Sequence, residues 1–120
     1  MNIGKKGTDG ERRVAEFLRK QGFAVIKRNY VCRFGEIDII AESENYIIFV
    51  EVKTRKAEGM VLGRQAVDSF KQNRMILTAN NYIAKTDCEK QPRFDIAEVI
   101  IYEKADGNSG YKLRYIENAF

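Results

Sequence analysis

The sequence predicts an α/β domain, a single mixed sheet covered by helices, in the order helix, three strands, helix, two strands. Three observations lead there. A stretch near the N-terminus repeats its apolar residues at helical spacing between clear start and stop signals. Two apolar runs, GEIDII and IIFVEVKTR, lie close together with only a short polar turn between them. A second helical stripe then precedes two further strand-like runs.

The first helix is expected from Thr8 to Gln21, because Thr8-Asp9-Gly10-Glu11 has capping-box spacing and Gly22 is a natural stop. Val14, Ala15, Phe17 and Leu18 share one face, and Glu11 projects into the middle of it, away from the charged side formed by Arg12, Glu16 and Lys20. A strand from Phe23 to Asn29 follows, then a turn through Arg33-Phe34-Gly35, then strands Glu36 to Ala41 and Tyr46 to Thr54. Lys56 to Gly63 carries Gly59 and Gly63 without periodicity and reads as a mobile loop. The second helix is expected from Arg64 to Ala84, with Ala66, Val67, Phe70, Ile76 and Leu77 on its buried stripe. Pro92 marks a break, and strands Phe94 to Tyr102 and Tyr111 to Ile116 flank the turn-rich Asp106-Gly107-Asn108-Ser109-Gly110.

At 120 residues the chain has the length of one domain, and no linker or repeat divides it, so residues 1–120 are expected to fold as a single unit. With 44% hydrophobic and 32% charged residues the balance is that of a folded globular protein. No apolar run is long enough to span a bilayer and the start lacks the apolar stretch of a secretory signal, so a cytoplasmic protein without a membrane partner is expected. Cys32 and Cys88 have no partner at metal-ligand spacing and read as reduced thiols. The absence of histidine excludes Ser-His-Asp triads, Cys-His pairs and histidine-ligated zinc. Hydrolysis by this chain must run on carboxylates, lysine or metal. A net charge of +4 is compatible with a polyanionic partner.

The chemistry concentrates in the hairpin. With Glu44-Asn45 as a two-residue turn, Ser43 pairs with Tyr46 and Asp38 lies directly across from Glu51. One face then holds Ile37, Ile39, Ala41, Ile48, Val50 and Val52; the other holds Glu36, Asp38, Ile40, Ile47, Phe49, Glu51 and Lys53. Opposed side chains lie about 5 Å apart, so two ionised carboxylates there repel one another. Protonation of one acid, an ion pair with Lys53, or a divalent cation between the carboxylates would relieve the repulsion, and Mg²⁺ suits such oxygen ligands. Lys53, two residues from Glu51 on the same face, could orient or deprotonate an attacking water or neutralise developing phosphate charge. An exposed salt-bridge cluster is the plain alternative, disfavoured by the apolar strands around the charges.

These residues resemble the PD-(D/E)xK, or restriction-endonuclease-like, nuclease superfamily, and within it the YraN-like family of small bacterial proteins. GTDGERRVAEFL is similar to the family's opening helix, Arg33-Phe34-Gly35-Glu36-Ile37-Asp38 to its acidic strand, Phe49-Val50-Glu51-Val52-Lys53-Thr54-Arg55 to its central strand, Lys71-Gln72-Asn73-Arg74 to its second helix and Arg93-Phe94-Asp95 to its next strand. The resemblance implies a restriction-endonuclease-like fold with a helix-strand-strand-strand-helix-strand core, a mixed sheet and, here, a further C-terminal strand. It implies phosphodiester hydrolysis assisted by Mg²⁺ or Mn²⁺, with Asp38, Glu51 and Lys53 catalytic, Asp38 and Glu51 as metal ligands, and Glu11 joining them directly or through water. Two positions depart from the pattern: Ile37 replaces the proline before the aspartate, and Gln65 stands where many members carry an acid.

Glu11 also reads as the reciprocal half of the Thr8 capping box. Glu36 is a weaker candidate ligand. Lys71 and Arg74, at i and i+3, together with Arg33 and Arg55, are candidate nucleic-acid contacts of the sequence-tolerant, salt-dependent kind. Asp95, two residues after Arg93, reads as a structural ion pair, and Tyr30, Phe34 and Tyr82 as core aromatics before base-stacking ones. The expected partner is nucleic acid, DNA ahead of RNA, and a homodimer would extend the grip of so small a chain. Two other roles stay open: a catalytically silent nucleic-acid-binding module of a DNA repair or processing assembly, and a protein-interaction module.

Overall fold

A computed structural model describes residues 8–57 and 68–120. Its elements are α1 (Thr8–Lys20), β1 (Ala24–Cys32), β2 (Gly35–Glu42), β3 (Tyr46–Lys56), α2 (Ser69–Thr86), β4 (Gln91–Glu103) and β5 (Ser109–Ile116). The five strands form one sheet in sequence order, antiparallel except that β3 and β4 run parallel. Helix α2 makes that crossover.

The sheet is packed on both faces. Val14, Ala15 and Leu18 of α1 meet Ile39, Ala41, Ile48, Val50, Ala97 and Val99, all fully buried. On the opposite face Met75 and Ala79 of α2 meet Tyr30, Ile37, Ile40, Ile47, Phe49 and Ile96. Helix α1 rides close to β3: a Cβ built on Gly10 would lie 2.5 Å from Thr54 Oγ1, so only glycine permits this approach.

Several elements depart from their expected limits. Strand β1 runs on to Cys32, β3 extends to Lys56, and Pro92 sits near the start of β4 rather than in a break, where a missing N–H is tolerated. Helix α2 begins at Ser69, not Arg64, because Asp68 is extended (φ −86°, ψ 178°) and its carboxylate accepts the Lys71 N–H at 2.9 Å. Its expected buried stripe is corrected as well. Phe70 is 69% and Leu77 47% exposed, and Ile76 is exposed too, while Met75, Thr78 and Ala79 face the sheet. The way the crossover sets α2 against β1 and β2 accounts for this, since only the stripe that touches those strands is buried. Ala66, Val67, Gln65 and most of the expected Lys56 to Gly63 loop lie outside the described residues.

The hairpin register is the expected one. The Ser43 N–H donates to the Tyr46 carbonyl at 3.0 Å, and pairing runs from Glu42↔Ile47 to Ile39↔Val50. The apolar residues keep their expected faces except Ile37, which lies with the α2-side core instead of beside Ile39. Asn29 explains the exception: at φ +57° it interrupts β1, and pairing with β2 passes from Arg28↔Ile39 to Tyr30↔Ile37 with Asn29 and Asp38 left out. Arg28 therefore reaches Glu11 of α1, while Tyr30 reaches Asn81 of α2.

Candidate active site

Asp38 occupies the place where regular pairing fails on both sides of β2. Its carboxylate accepts the Val52 N–H at 2.8 Å, taking over a backbone group of β3 beyond the last β2–β3 pair. Burial, then the charge of Glu51 and the smaller effects of Glu11 and Glu36, push the Asp38 carboxyl up to about 7 against the lowering influence of the Val52 bond. The expected repulsion from Glu51 acts on Asp38, although the ladder ends at Ile39↔Val50, one pair short of the expected pairing of the two acids.

Glu51 is 6% exposed and carries two ammonium neighbours. Lys71 Nζ lies 2.6 Å from Glu51 Oε2 and Lys53 Nζ lies 3.6 Å from the same oxygen. The sequence anticipates relief of the negative charge by a lysine, but the nearer lysine comes from α2. Burial, followed by the neighbouring Lys71 charge, lowers the Lys53 ammonium below its ordinary range. Burial works against Lys71 as well, yet its bond to Glu51 raises it. The two lysines are therefore unlike: Lys71 is the fixed cation and Lys53 the one that gives up its proton more readily.

A cleft of about 370 Å³ opens beside these groups, lined by Arg33, Gly35, Glu36, Glu51, Lys71 and Arg74 among others. Gly35 lets the β1–β2 turn approach α2, since its φ is +151° and a Cβ there would stand 3.2 Å from Thr78 Oγ1 and 3.5 Å from Arg74 Nε. Of the candidate nucleic-acid contacts, Arg33 and Arg74 line this cleft. Lys71 is engaged inside it. Arg55 points elsewhere: its Nε lies 3.6 Å from Glu98 Oε2, farther along β3 and β4.

Glu11 is buried, as its place on the apolar face of α1 implied, but its carboxylate pairs with Arg28 at 3.5 Å. Among the described residues no three acid, cysteine or histidine side chains converge to hold a metal, while the charge of Glu11 acts on Asp38. The capping role of Glu11 depends on the Thr8 side chain, which lies outside the described residues. The donor chemistry of Asp38 and Glu51, two carboxylates of which Glu51 lines the cleft, fits a hard divalent cation retaining waters.

Asp95 is structural, as expected: fully buried, it accepts two bonds from Arg93 (3.0 and 2.8 Å), one from the Tyr115 hydroxyl (2.5 Å) and one from the Asn118 N–H (2.8 Å). Tyr30 and Tyr82 pack edge to face in the α2-side core. Both cysteines are free. No helix among the described residues is long and apolar enough to cross a membrane. Sequence reasoning missed buried Glu98; an acid inside the apolar run Asp95-Ile96-Ala97-Glu98-Val99-Ile100 was the available signal.

The segment carrying Asp38, Glu51, Lys53 and Lys71 falls inside the match to the uncharacterised protein family UPF0102, whose profile covers residues 10–99. The chain belongs to the UPF0102 family. Relatives agree along nearly the whole length. A UPF0102 protein of Caldanaerobacter subterraneus subsp. tengcongensis is 42% identical over 115 residues, 95% of this chain and 93% of the relative. One from Clostridium acetobutylicum is 41% identical over 117 residues, 97% and 93% of the two chains, and one from Nitrosomonas europaea 35% identical over 119 residues, 99% and 96%. The YraN-like resemblance is thereby a membership, and the α1-to-β4 unit that holds the acids is the part the family profile spans.

Proposed function

We propose that this UPF0102 chain is a metal-dependent nuclease of the PD-(D/E)xK type that hydrolyses phosphodiester bonds in DNA, including branched or single-stranded forms, ahead of RNA. The observation that carries the reading is the buried confrontation of Asp38 with Glu51 beside two lysines of different character. The element order α1-β1-β2-β3-α2-β4 supports it, being the order the superfamily resemblance implies.

Asp38 and Glu51 would hold Mg²⁺ or Mn²⁺, which when bound polarises a phosphoryl oxygen and acidifies a water. The Val52 N–H holds the Asp38 carboxylate in place. Lys53, whose ammonium is lowered by burial, orients the attacking water, taking up a proton at Nζ as the amine and returning it as the ammonium. Lys71 balances Glu51; with a cation held there Lys71 would be available, with Arg74 and Arg33, to meet phosphate oxygens in the cleft. A homodimer would lengthen the surface available to a duplex.

One observation favours a second reading, the silent binding module. The Lys71 ammonium already neutralises Glu51, so the cleft needs no metal to accept a polyanion. A cleavage screen across duplex, single-stranded, flap and four-way-junction DNA, with Mn²⁺ or with chelator, separates the two. Mn²⁺-dependent cleavage that is lost in Glu51→Gln supports the nuclease; binding without cleavage on every substrate assigns the silent module.

A further inference from the structure

On the α2-facing side of the sheet, three cross-strand rows follow one another away from the apolar Phe49–Phe94 pair. Glu51, Ile96 and Ile116 form the first, Lys53, Glu98 and Arg114 the second, Arg55, Ile100 and Lys112 the third. The face changes from apolar to basic over these rows, and Glu98 is the one acid in the last two. Its side chain is 2% exposed, with Arg55 at 3.6 Å and Arg114 at 3.7 Å. Both contacts are longer than hydrogen bonds, and Glu98 Oε2 and Arg55 Nε, each buried, have no hydrogen-bond partner among the described residues. Burying a carboxylate is costly, and pairing it so loosely recovers little of that cost. What the arrangement does achieve is to draw two guanidiniums together beside Lys53 without consuming their donors, of which each has five.

We propose that Arg55 and Arg114, drawn together by Glu98, form a phosphate clamp next to the acidic pair, and that Lys53, the clamp and Lys112 make a track along which one nucleic-acid strand crosses β3, β4 and β5. The proposal rests on the nuclease reading for its substrate class. Strands lie about 4.8 Å apart, so the track from β3 to β5 extends roughly 10 Å, enough for phosphates beyond the one at the acids. Guanidiniums suit this role because their planar fork takes two phosphate oxygens at once. Glu98 is a positioning residue, and the clamp arginines contact the strand backbone and read no base.

The test uses the full chain in EDTA, so that binding is read without cleavage, with fluorescein-labelled oligothymidylate long enough to cross the sheet and a trinucleotide of the same base. Arg114 is 54% exposed, and Arg114→Gln is expected to leave the melting temperature unchanged. It should weaken the long oligonucleotide about tenfold, reduce the slope of log affinity against log salt by about 0.7, and leave the trinucleotide unaffected. Glu98→Gln, compared at a temperature where it is folded, should weaken the long strand as well, by releasing the arginines from their shared position. Unchanged affinity and salt slope in Arg114→Gln, or equal losses on both lengths, overturns the clamp. Failure of the nuclease reading looks different: native protein that binds the long strand through Arg114 but cleaves nothing with Mn²⁺ keeps the track and loses the chemistry.

Discussion

Replacing Asp38 by asparagine tests the charge confrontation without any appeal to catalysis. Burial first, and then Glu51, raise the Asp38 carboxyl from 3.8 to about 7, so the folded protein holds that proton more tightly than the unfolded chain does. This contribution to stability is fully present below pH 3.8 and is lost as pH rises through the window up to about 7. At about 1.4 kcal/mol per pH unit, the window sets a ceiling of about 4 kcal/mol on the loss. Screening by the nearby lysines and sharing of one proton between Asp38 and Glu51 reduce it below that ceiling. The substituted amide would keep an oxygen for the Val52 N–H but would carry no charge at any pH. Urea unfolding in EDTA should therefore show native protein and Asp38→Asn similar near pH 4, with the variant gaining by on the order of 2 to 4 kcal/mol toward pH 8. Other acids titrate in both proteins and cancel in the difference. A difference that stays constant from about pH 4 to pH 8 refutes the reasoning, since Asp38 would then be an ordinary solvated acid.

Three further outcomes follow from other contacts. Lys53→Ala should lower cleavage by roughly 10²- to 10⁴-fold with melting temperature and Mn²⁺ binding close to native, and Lys53→Arg should not restore it, because a guanidinium accepts no proton; native turnover in either variant removes Lys53 from the mechanism. Lys71→Ala deletes the cation 2.6 Å from Glu51, so the chelated protein should melt lower while the rise on adding Mn²⁺ grows; an unchanged rise would mean that lysine and metal do not compete for Glu51. Gly10→Ala should cost about 1 to 3 kcal/mol despite the better helix propensity of alanine, since its Cβ meets Thr54 Oγ1 at 2.5 Å, and Thr54→Ala in the same chain should recover part of that loss in denaturant melts.

The hairpin was legible because its information is local. A two-residue turn fixes the register, and alternation assigns most apolar faces without knowledge of distant residues, although the ladder stops at Ile39↔Val50, one pair short of Asp38 and Glu51. The burial of Glu11 was legible for a similar reason, as a helical wheel carries it. Three features were not. Asn29 adopts φ +57° within a strand, and nothing in the alternation of β1 or β2 announces that Ile37 will change sides there. The stripe of α2 that is buried depends on how the crossover sets the helix against β1 and β2, so Phe70 and Leu77 read as core from spacing alone. Lys71 and Arg55 were visible as charges, but which carboxylate each would meet is a matter of tertiary geometry: Glu51 lies across the sheet–helix interface from Lys71, and Glu98 on a strand distant in sequence from Arg55.

The irregularity at Asn29 and the chemistry at Asp38 are one feature of the fold. In an unbroken sheet Asp38 would pair with Asn29 on one side and Glu51 on the other, its side chain would stand on a single face, and the Val52 N–H would need another acceptor. Because β1 turns at Asn29, Arg28 goes to Glu11 on the α1 side and Tyr30 to the α2 side, and Asp38 is released from the ladder at the same position. Its carboxylate then satisfies Val52 and stays within reach of the charges of Glu51, Glu11 and Glu36, contributed by β3, α1 and β2. Such a break is costly in lost pairing and in carboxylate desolvation. It is sustained by its neighbours: Ile39, Ile40 and Ala41, immediately after Asp38, are completely buried and alternate between the two cores, so β2 is anchored from both sides up to the residue where it opens. A purely structural strand gains nothing by placing its break beside a second buried acid and two lysines, and it is this coincidence, more than the presence of any one residue, that makes the open end of β2 the place to look for chemistry.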